Sequence, residues 1–418
     1  MMTTGQPVHA PLYPGQGLFD MSNLDQFMSG HPWADYEQLR NQAPVYWQAV
    51  EPPARGYWLL SRHADIQHVS RHPEIFSSGE GFKASDESYE RLGPEINAAM
   101  GRIILSIDPP EHTFFRQILQ PHFSLKAAKA LEQEIRRDVI ATLDRLKGQD
   151  VVEVVGTISA ELPILVLCNV LGVPESDRPR IFEWTNRMVG VDDPDFNSTP
   201  QQAAQAFVEV FDYGRALLAE RRGKAGDDLI TLIANAELDG KPLQQAQTDG
   251  FFVLMVGAGN ETSRNAITGS LKALAQFPEA RKQLVEQPEL IAGAVEELLR
   301  FISPVIHMRR TAVCDTEVAG QAIARGEKVV MLYGAANRDP AVFEHPDQLD
   351  VRRANARQQM AFGHGIHLCL GAIYARMELR IMLEEFLRRY PDFRVVEEPR
   401  YLRSHFVHGI KSMSIALS

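Results

Sequence analysis

"FGHGIHLCLG", Phe362 to Gly371, is the stretch on which the reading of this chain turns. It holds one of three cysteines, Cys369, among three glycines and two histidines. A lone cysteine in such a setting can be a redox switch, a nucleophile, a metal ligand or an inert buried thiol. The last is the common fate of a free cysteine.

Outward from that loop, composition sets the bounds. The chain has 418 residues and is 44% hydrophobic, enough for one large domain or two smaller ones. Acidic residues (54) outnumber basic ones (43), for a net charge of −11, which argues against a general nucleic-acid binder. Cys168, Cys314 and Cys369 are few, odd in number and far apart, so no disulfide framework is indicated and a reducing cytoplasm is expected. "MMTTGQPVHAPLYPGQG" lacks the basic start and apolar core of a signal peptide. "ELPILVLCNVLGVP" is too short to span a bilayer.

Patterning then places the elements. Residues 1–30 are rich in Pro, Gly and polar groups and are expected to be an irregular arm, with 31–418 as one domain. "PVYWQAVEPPARGYWLLSRH" (44–63) reads as two strands around a turn, followed by a helix that stops near Pro73. Residues 78–104 read as a long, partly helical loop. From about 124 to 300 the pattern is almost wholly helical, opening with Ser124 as an N-cap. Residues 305–332 and 393–418 alternate like short strands, and "LGAIYARMELRIMLEEFLRRY" is a helix ended by Pro391. The fold class is mainly α with small β-sheets.

Several uses of Cys369 weaken on inspection. The chain has no CxxC for a redox pair and no CxxCH for covalent haem attachment. A zinc site would need more ligands at short spacing. The neighbours favour a thiolate ligand to a large flat cofactor. Gly363, Gly365 and Gly371 present no side chain to clash with such a group. The helix that follows turns its free N–H groups and positive end toward the sulfur.

The segment matches FGxGxHxCxG, the haem-binding signature of the cytochrome P450 superfamily, and the chain resembles a bacterial member. The resemblance implies a triangular, mainly helical domain with a β-rich portion. Haem b would lie between a long central helix and the cysteine loop, with Cys369 as the iron's thiolate ligand. Phe362, Gly363, His367 and Gly371 would contact the haem, His367 at a propionate.

Distant motifs stand in the family's order. Glu297 and Arg300 in "VEELLR" share a helix face; an ordinary surface ion pair worth under ~1 kcal/mol is the plainer reading. The resemblance makes them the ExxR pair, joined by Arg353 rather than Arg352. His112 and Arg116 in "DPPEHTFFRQ" also share a face, and the resemblance implies that they bind propionates together with Arg310, whose neighbour Arg309 blurs the register. In "VLMVGAGNETSRNAITG" (253–269), Gly257 and Gly259 each cost a helix about 1 kcal/mol relative to alanine, which asks for a close ligand or a bend. Thr262 can bond the carbonyl of Ala258. AGNETS resembles the family's acid–alcohol segment, with Ala258 against the haem and Glu261 and Thr262 supplying protons for cleavage of the O–O bond.

The implied reaction is monooxygenation of a hydrophobic molecule, with O2 as co-substrate. Electrons are expected from NAD(P)H through a separate ferredoxin and its reductase, since the chain ends soon after the last motif. Arg376 and Arg380 are candidates for that docking patch. A monomer is expected. Competing readings are a peroxide-driven haem-thiolate peroxygenase and a haem-thiolate ligand sensor. Val256, Ala258, Val305, Ile306, Phe406 and Val407 are expected to wall the substrate pocket. "AGNETSRN", "MRRTA" and "HFVHGIK" resemble members that act on steroids, terpenoids and branched lipids.

Overall fold

The computed structural model describes residues 17–50, 54–85, 92–189 and 199–417. A central helix, Gln245–Gln276, organises the molecule: 32 residues, hence about 48 Å long. A reciprocal cap opens it, with Gln244 and Gln247 each bonding the other's backbone. It is buried along most of its length, as a helix crossing the middle of a domain must be. Glu161–Leu171, Pro200–Arg221, Ile291–Ile302 and Ala372–Arg389 all pack on it.

Glycines set how close those neighbours come. A Cβ on Gly250 would lie 2.6 Å from the Ala99 carbonyl of helix Pro94–Met100, and one on Gly269 would lie 2.7 Å from Ile302. Gly257 and Gly259 differ. A Cβ on Gly257 would meet nothing within 4 Å, and one on Gly259 only Leu167, at 3.9 Å. In mid-helix, the chain leaves space.

The β portion is a five-stranded sheet in the spatial order Val45–Gln48, Tyr57–Leu60, Lys328–Leu332, His307–Ala312, Phe76–Ser77. Its pairs are antiparallel except Tyr57–Leu60 with Lys328–Leu332. The two strands expected over 44–63 form its first antiparallel pair, while residues 51–53 of the expected turn lie outside the described residues. The helix expected after them spans His63–Arg71. Ser124 caps Leu125–Asp144 by accepting from the Ala127 amide.

The reading of 124–300 as helical missed Val151–Glu153, a strand that pairs with Ser414–Ala416. Three residues carry no visible period, and their partner lies at the other end of the chain. Residues 1–16 of the expected arm lie outside the described residues. The part described is not irregular throughout: Leu24–Ser29 form a 3-10 turn, and Phe19, Met21 and Phe27 are buried against Tyr36 and Leu59. Within the 78–104 loop, Pro94–Met100 is helical and residues 86–91 lie outside the described residues. No described helix is long and apolar enough to cross a membrane.

Propensity and packing oppose one another at Gly250. In an open helix, alanine gains about 1 kcal/mol over glycine. Here the obstacle is backbone, which cannot swing aside, and overpacking of this kind costs about 1–3 kcal/mol. Gly250→Ala should therefore lower the urea midpoint while Gly257→Ala should not. Equal midpoints would show that Pro94–Met100 does not press on the central helix.

Candidate active site

The cysteine loop is held from outside by its glycines. Gly365 has φ +71, and a Cβ there would sit 1.9 Å from the Ser70 carbonyl of helix His63–Arg71. Gly363, at φ +72, packs under the Tyr333 hydroxyl. These two glycines thus serve backbone shape and protein contact. The Cys369 amide donates to the Phe362 carbonyl (2.9 Å) and closes the loop.

The Cys369 sulfur touches open space, yet dense protein surrounds it, so the opening is internal. Burial pushes its pKa up. The Gly371 and Ala372 amides work the other way, as do Arg116 and Arg376. The helix N-terminus assists a thiolate, as expected, but does not create one. A metal cation on the sulfur would.

Beside the cysteine lies a gathering of donors. His112, on helix Glu111–Leu119, packs against His367 with ring centroids 4.4 Å apart and the planes tilted by 57°. Arg116 donates to the Leu368 carbonyl (2.7 Å). Arg310 is buried, its Nη1 donating to its neighbour's carbonyl. Strand alternation settles the register, because Arg309 turns to the Glu80 and Lys83 carbonyls instead. His367 is bonded to the Ser78 hydroxyl (2.9 Å). Burial first, then Arg116 and Arg310, hold His112 down at about 4. Burial, Arg310, His112 and Arg116 hold His367 at about 2. The acidic neighbour Asp108 is already bonded by Ser77 and the Ser78 amide. His112 Nε2 is buried with no partner.

Glu297, Arg300 and Arg353 come together as expected. Arg300 grips Glu297 through two 2.7 Å bonds, and Arg353 Nε adds a third at 3.0 Å. Arg352 instead meets Gln283 and Gln287 at the surface. Phe362 lies under the Arg376 guanidinium.

On the central helix, Thr262 donates to the Ala258 carbonyl (2.8 Å), as expected. Ala258 and Gly259 are exposed although the helix around them is buried. Glu261 is buried and turned elsewhere: it pairs with Arg264 and accepts from Asn265 (2.9 Å).

The expected pocket wall divides. Val256 and Phe406 belong to one apolar cluster with Phe82, whose ring meets Phe406 edge-on at 5.6 Å. Val305 and Val407 face one another across a β-bridge. Ile306 does not line this space. It is fully buried with Tyr36, Leu59 and Leu332, because successive extended residues face opposite ways. Arg376 and Arg380, the candidates for partner docking, are each held in ion pairs: Arg376 with Glu296, and Arg380 with Glu132 and Glu384.

The sequence offers His307, with His405 and His408, as a residue that recognises a polar group of the ligand or else as an exposed loop histidine, and the structure shows neither for His307; Glu378 escaped the sequence reading altogether. His307 is buried, with Nδ1 donating to the His405 carbonyl (2.9 Å) and Nε2 accepting from the Ala84 amide (3.0 Å). Glu378, on helix Ala372–Arg389, is buried beside the central helix with one carboxyl oxygen unpartnered. Burial pushes it up to about 8, against a weaker pull from Ser263. An isolated acid on an apolar stripe is visible in sequence, but its depth is not.

A family model described as Cytochrome P450 matches residues 57–403. The chain is 38% identical to linalool 8-monooxygenase of Pseudomonas putida over 401 residues, covering 95% of this chain and 98% of that one. It is 36% identical to a methyl-branched lipid omega-hydroxylase of Mycobacterium tuberculosis, covering 92% and 90%. A steroid C26-monooxygenase of Rhodococcus jostii is 33% identical, covering 95% and 84%. A Mycobacterium marinum cytochrome P450 solved with pseudoionone superposes with a TM-score of 0.89 at 34% identity, covering 99% of this chain and all (100%) of that one. The chain belongs to the cytochrome P450 family and is a monooxygenase of that family.

The family implies a haem iron, and the site fits one. The unpartnered His112, the buried Arg310 and the half-buried Arg116 beside it suit two carboxylates. The space at Gly257 and Gly259 suits a flat group.

Glu378 has a raised pKa in the fold, so the native state binds its proton more tightly than the unfolded chain. Its contribution is fully present below the ordinary value of 4.5 and is lost as pH rises through about 8. Glu378→Gln should remove a loss on the order of a few kcal/mol between about pH 5 and about pH 9. Urea unfolding at both ends checks this; parallel pH dependences in the two proteins would refute it.

Proposed function

We propose that the chain places one oxygen atom of O2 into a C–H bond of a branched, terpenoid- or steroid-type hydrocarbon, with Cys369 as the haem ligand. The observation that carries the cofactor assignment is the cluster of His112, Arg116, Arg310 and His367 beside the cysteine, its acidic neighbour already engaged. Haem, when bound, supplies the activation of dioxygen. The chain's own residues do the rest. Gly371 and Ala372 amides and Arg116 steady the sulfur's negative charge. His112, Arg116, Arg310 and His367 anchor the propionates. Glu297, Arg300 and Arg353 brace the fold behind the loop.

Hydroxylation consumes two electrons and two protons: RH + O2 + 2e− + 2H+ gives ROH + H2O. Thr262 holds a hydroxyl beside the exposed Ala258–Gly259 stretch, and its bond to the Ala258 carbonyl fixes that oxygen. Glu261 supplies the proton that Thr262 hands on. Electrons come from NAD(P)H through a separate ferredoxin and reductase. A peroxygenase or ligand sensor would have no use for this pair.

Phe82, Phe406 and Val256 offer an apolar wall, and burying ligand surface there gains about 25 cal/mol per Å2. The relatives named for linalool, a methyl-branched lipid and a steroid support a branched skeleton.

Cys369→Ala should abolish the strongly red-shifted Soret band of the reduced CO complex, whereas Cys168→Ala and Cys314→Ala should keep it. Thr262→Ala should keep the band but divert NAD(P)H-derived electrons to peroxide. A normal band in the Cys369 variant would end the ligand assignment. Terpenoids, steroids and branched fatty acids should shift the haem from low to high spin on titration, and small aromatic acids should not. The reverse pattern would overturn the substrate class while sparing the reaction.

A further inference from the structure

Arg376 stands seven residues after Cys369 and four after Ala372. That spacing puts it one helical turn beyond Ala372, on the same face of the helix. The structure uses this stripe. Arg376 Nη1 reaches back to the Ala372 carbonyl (3.5 Å), and the Ala372 amide is one of two that bond the Cys369 sulfur. The guanidinium carbon lies 4.5 Å from the centre of the Phe362 ring. Phe362 is the residue whose carbonyl accepts from the Cys369 amide. One cation thus touches both ends of the cysteine loop.

The Arg376 side chain is 35% exposed, and an arginine that open to water would ordinarily swing. Glu296 prevents this. It is buried on helix Ile291–Ile302 and takes Arg376 Nε (2.6 Å) and Nη2 (3.1 Å) on its two oxygens, a planar fork on a planar acid. Gln359 Nε2 donates to the same carboxylate (3.1 Å), and Gln359 Oε1 accepts from the Ala361 amide (2.6 Å), just before Phe362. An acid with three donors is a fixed anion, so the cation it grips is fixed too. Arg116 also acts on the sulfur, but it belongs to the propionate cluster. Arg376 has Glu296 as its counter-ion. A plain brace between two helices would need the ion pair alone; this one also sets the charge over Phe362 and Ala372.

We propose that Arg376 is a positioning residue that raises the reduction potential of the haem held by Cys369, and that Glu296 locks its charge in place to do so. This deepens the haem-thiolate reading and rests on it. Uptake of one electron adds one negative charge at the site. A nearby cation favours the state that carries the charge, and a nearby anion disfavours it. Arg376 and Glu296 therefore pull the potential in opposite directions, and the value depends on which of the two stands against the loop. The contacts with Phe362 and Ala372 give that place to Arg376. Its partial exposure keeps the effect modest, since water and salt screen it.

The test is a reductive titration with dithionite of the substrate-free holoenzyme, followed by its spectrum against redox dyes, in wild type, Arg376→Gln, Arg376→Lys, Glu296→Gln and Arg380→Gln. Haem content and the CO band report loading and ligation separately. Arg376→Gln should move the ferric–ferrous ratio at fixed potential about tenfold toward ferric, or about 59 mV downward for one electron. Arg376→Lys keeps the charge without the fork and should recover most of the shift. Glu296→Gln should move the potential upward. Arg380 is one helical turn further on, about 5.4 Å, so Arg380→Gln should shift it by less than half as much. A brace with no electrostatic role would lower haem content or the unfolding midpoint, but would not give shifts of opposite sign. If Arg376→Gln fails to load haem, Glu296→Gln carries the test. Unchanged potentials in a loaded variant of either residue, or equal shifts for Arg376→Gln and Arg380→Gln, overturn the inference and leave Cys369 as the ligand. A wild-type protein without the thiolate CO band overturns both.

Discussion

The buried pairing of Glu297 with Arg300 is the constraint on which the site depends. Both side chains are withdrawn from water, which is costly unless every polar atom is answered. Here the answers come from chain segments otherwise free to drift: Arg300 donates to the carbonyls of Asn337, Pro346 and Gln348, and the Asp350 amide donates to Glu297. Asn337 passes the constraint on, accepting from the Met360 amide two residues before Phe362. A run of hydrogen bonds thus leads from the ion pair to the mouth of the cysteine loop. From the other side, the Gly365 contact with Ser70 seats the loop on helix His63–Arg71. The sulfur is placed by scaffolding on two flanks rather than by its own loop.

The central helix solves the opposite problem, since it must leave room. It closes on neighbours at Gly250 and Gly269, yet stands clear at Gly257 and Gly259. One residue type serves both purposes, and only the surroundings tell them apart. The next turn divides its labour by angle: a hydroxyl inward, a carboxylate outward, and a guanidinium one turn further on to hold that carboxylate.

Much of this was legible in the sequence because its logic is local. The Glu297–Arg300 spacing, the Ser124 cap and the Thr262 back-bond all follow from helical period. Strand alternation alone could have turned Arg309 and Arg310 to opposite faces and removed Ile306, the neighbour of Val305, from the pocket wall. Other features depend on partners that no spacing reveals. Val151–Glu153 is a strand only because Ser414–Ala416 lies beside it, Arg353 is distinguished from Arg352 only by which way each turns, and Glu378 is unusual only in its depth. The loop glycines were legible as places without a side chain, but that Ser70 and Tyr333 press on Gly365 and Gly363 was not.

His307 has an implication for how such a protein can vary. One face of its ring gives a proton to the His405 carbonyl and the other takes one from the Ala84 amide, so a single neutral tautomer satisfies both. Burial keeps it in that uncharged form. The segment around Ala84 and the turn around His405 are far apart in sequence but meet at this joint, as they also do where Phe82 packs on Phe406. A residue gained or lost in either would displace the other's backbone through the imidazole. The imidazole therefore ties the length of one loop to the length of the other.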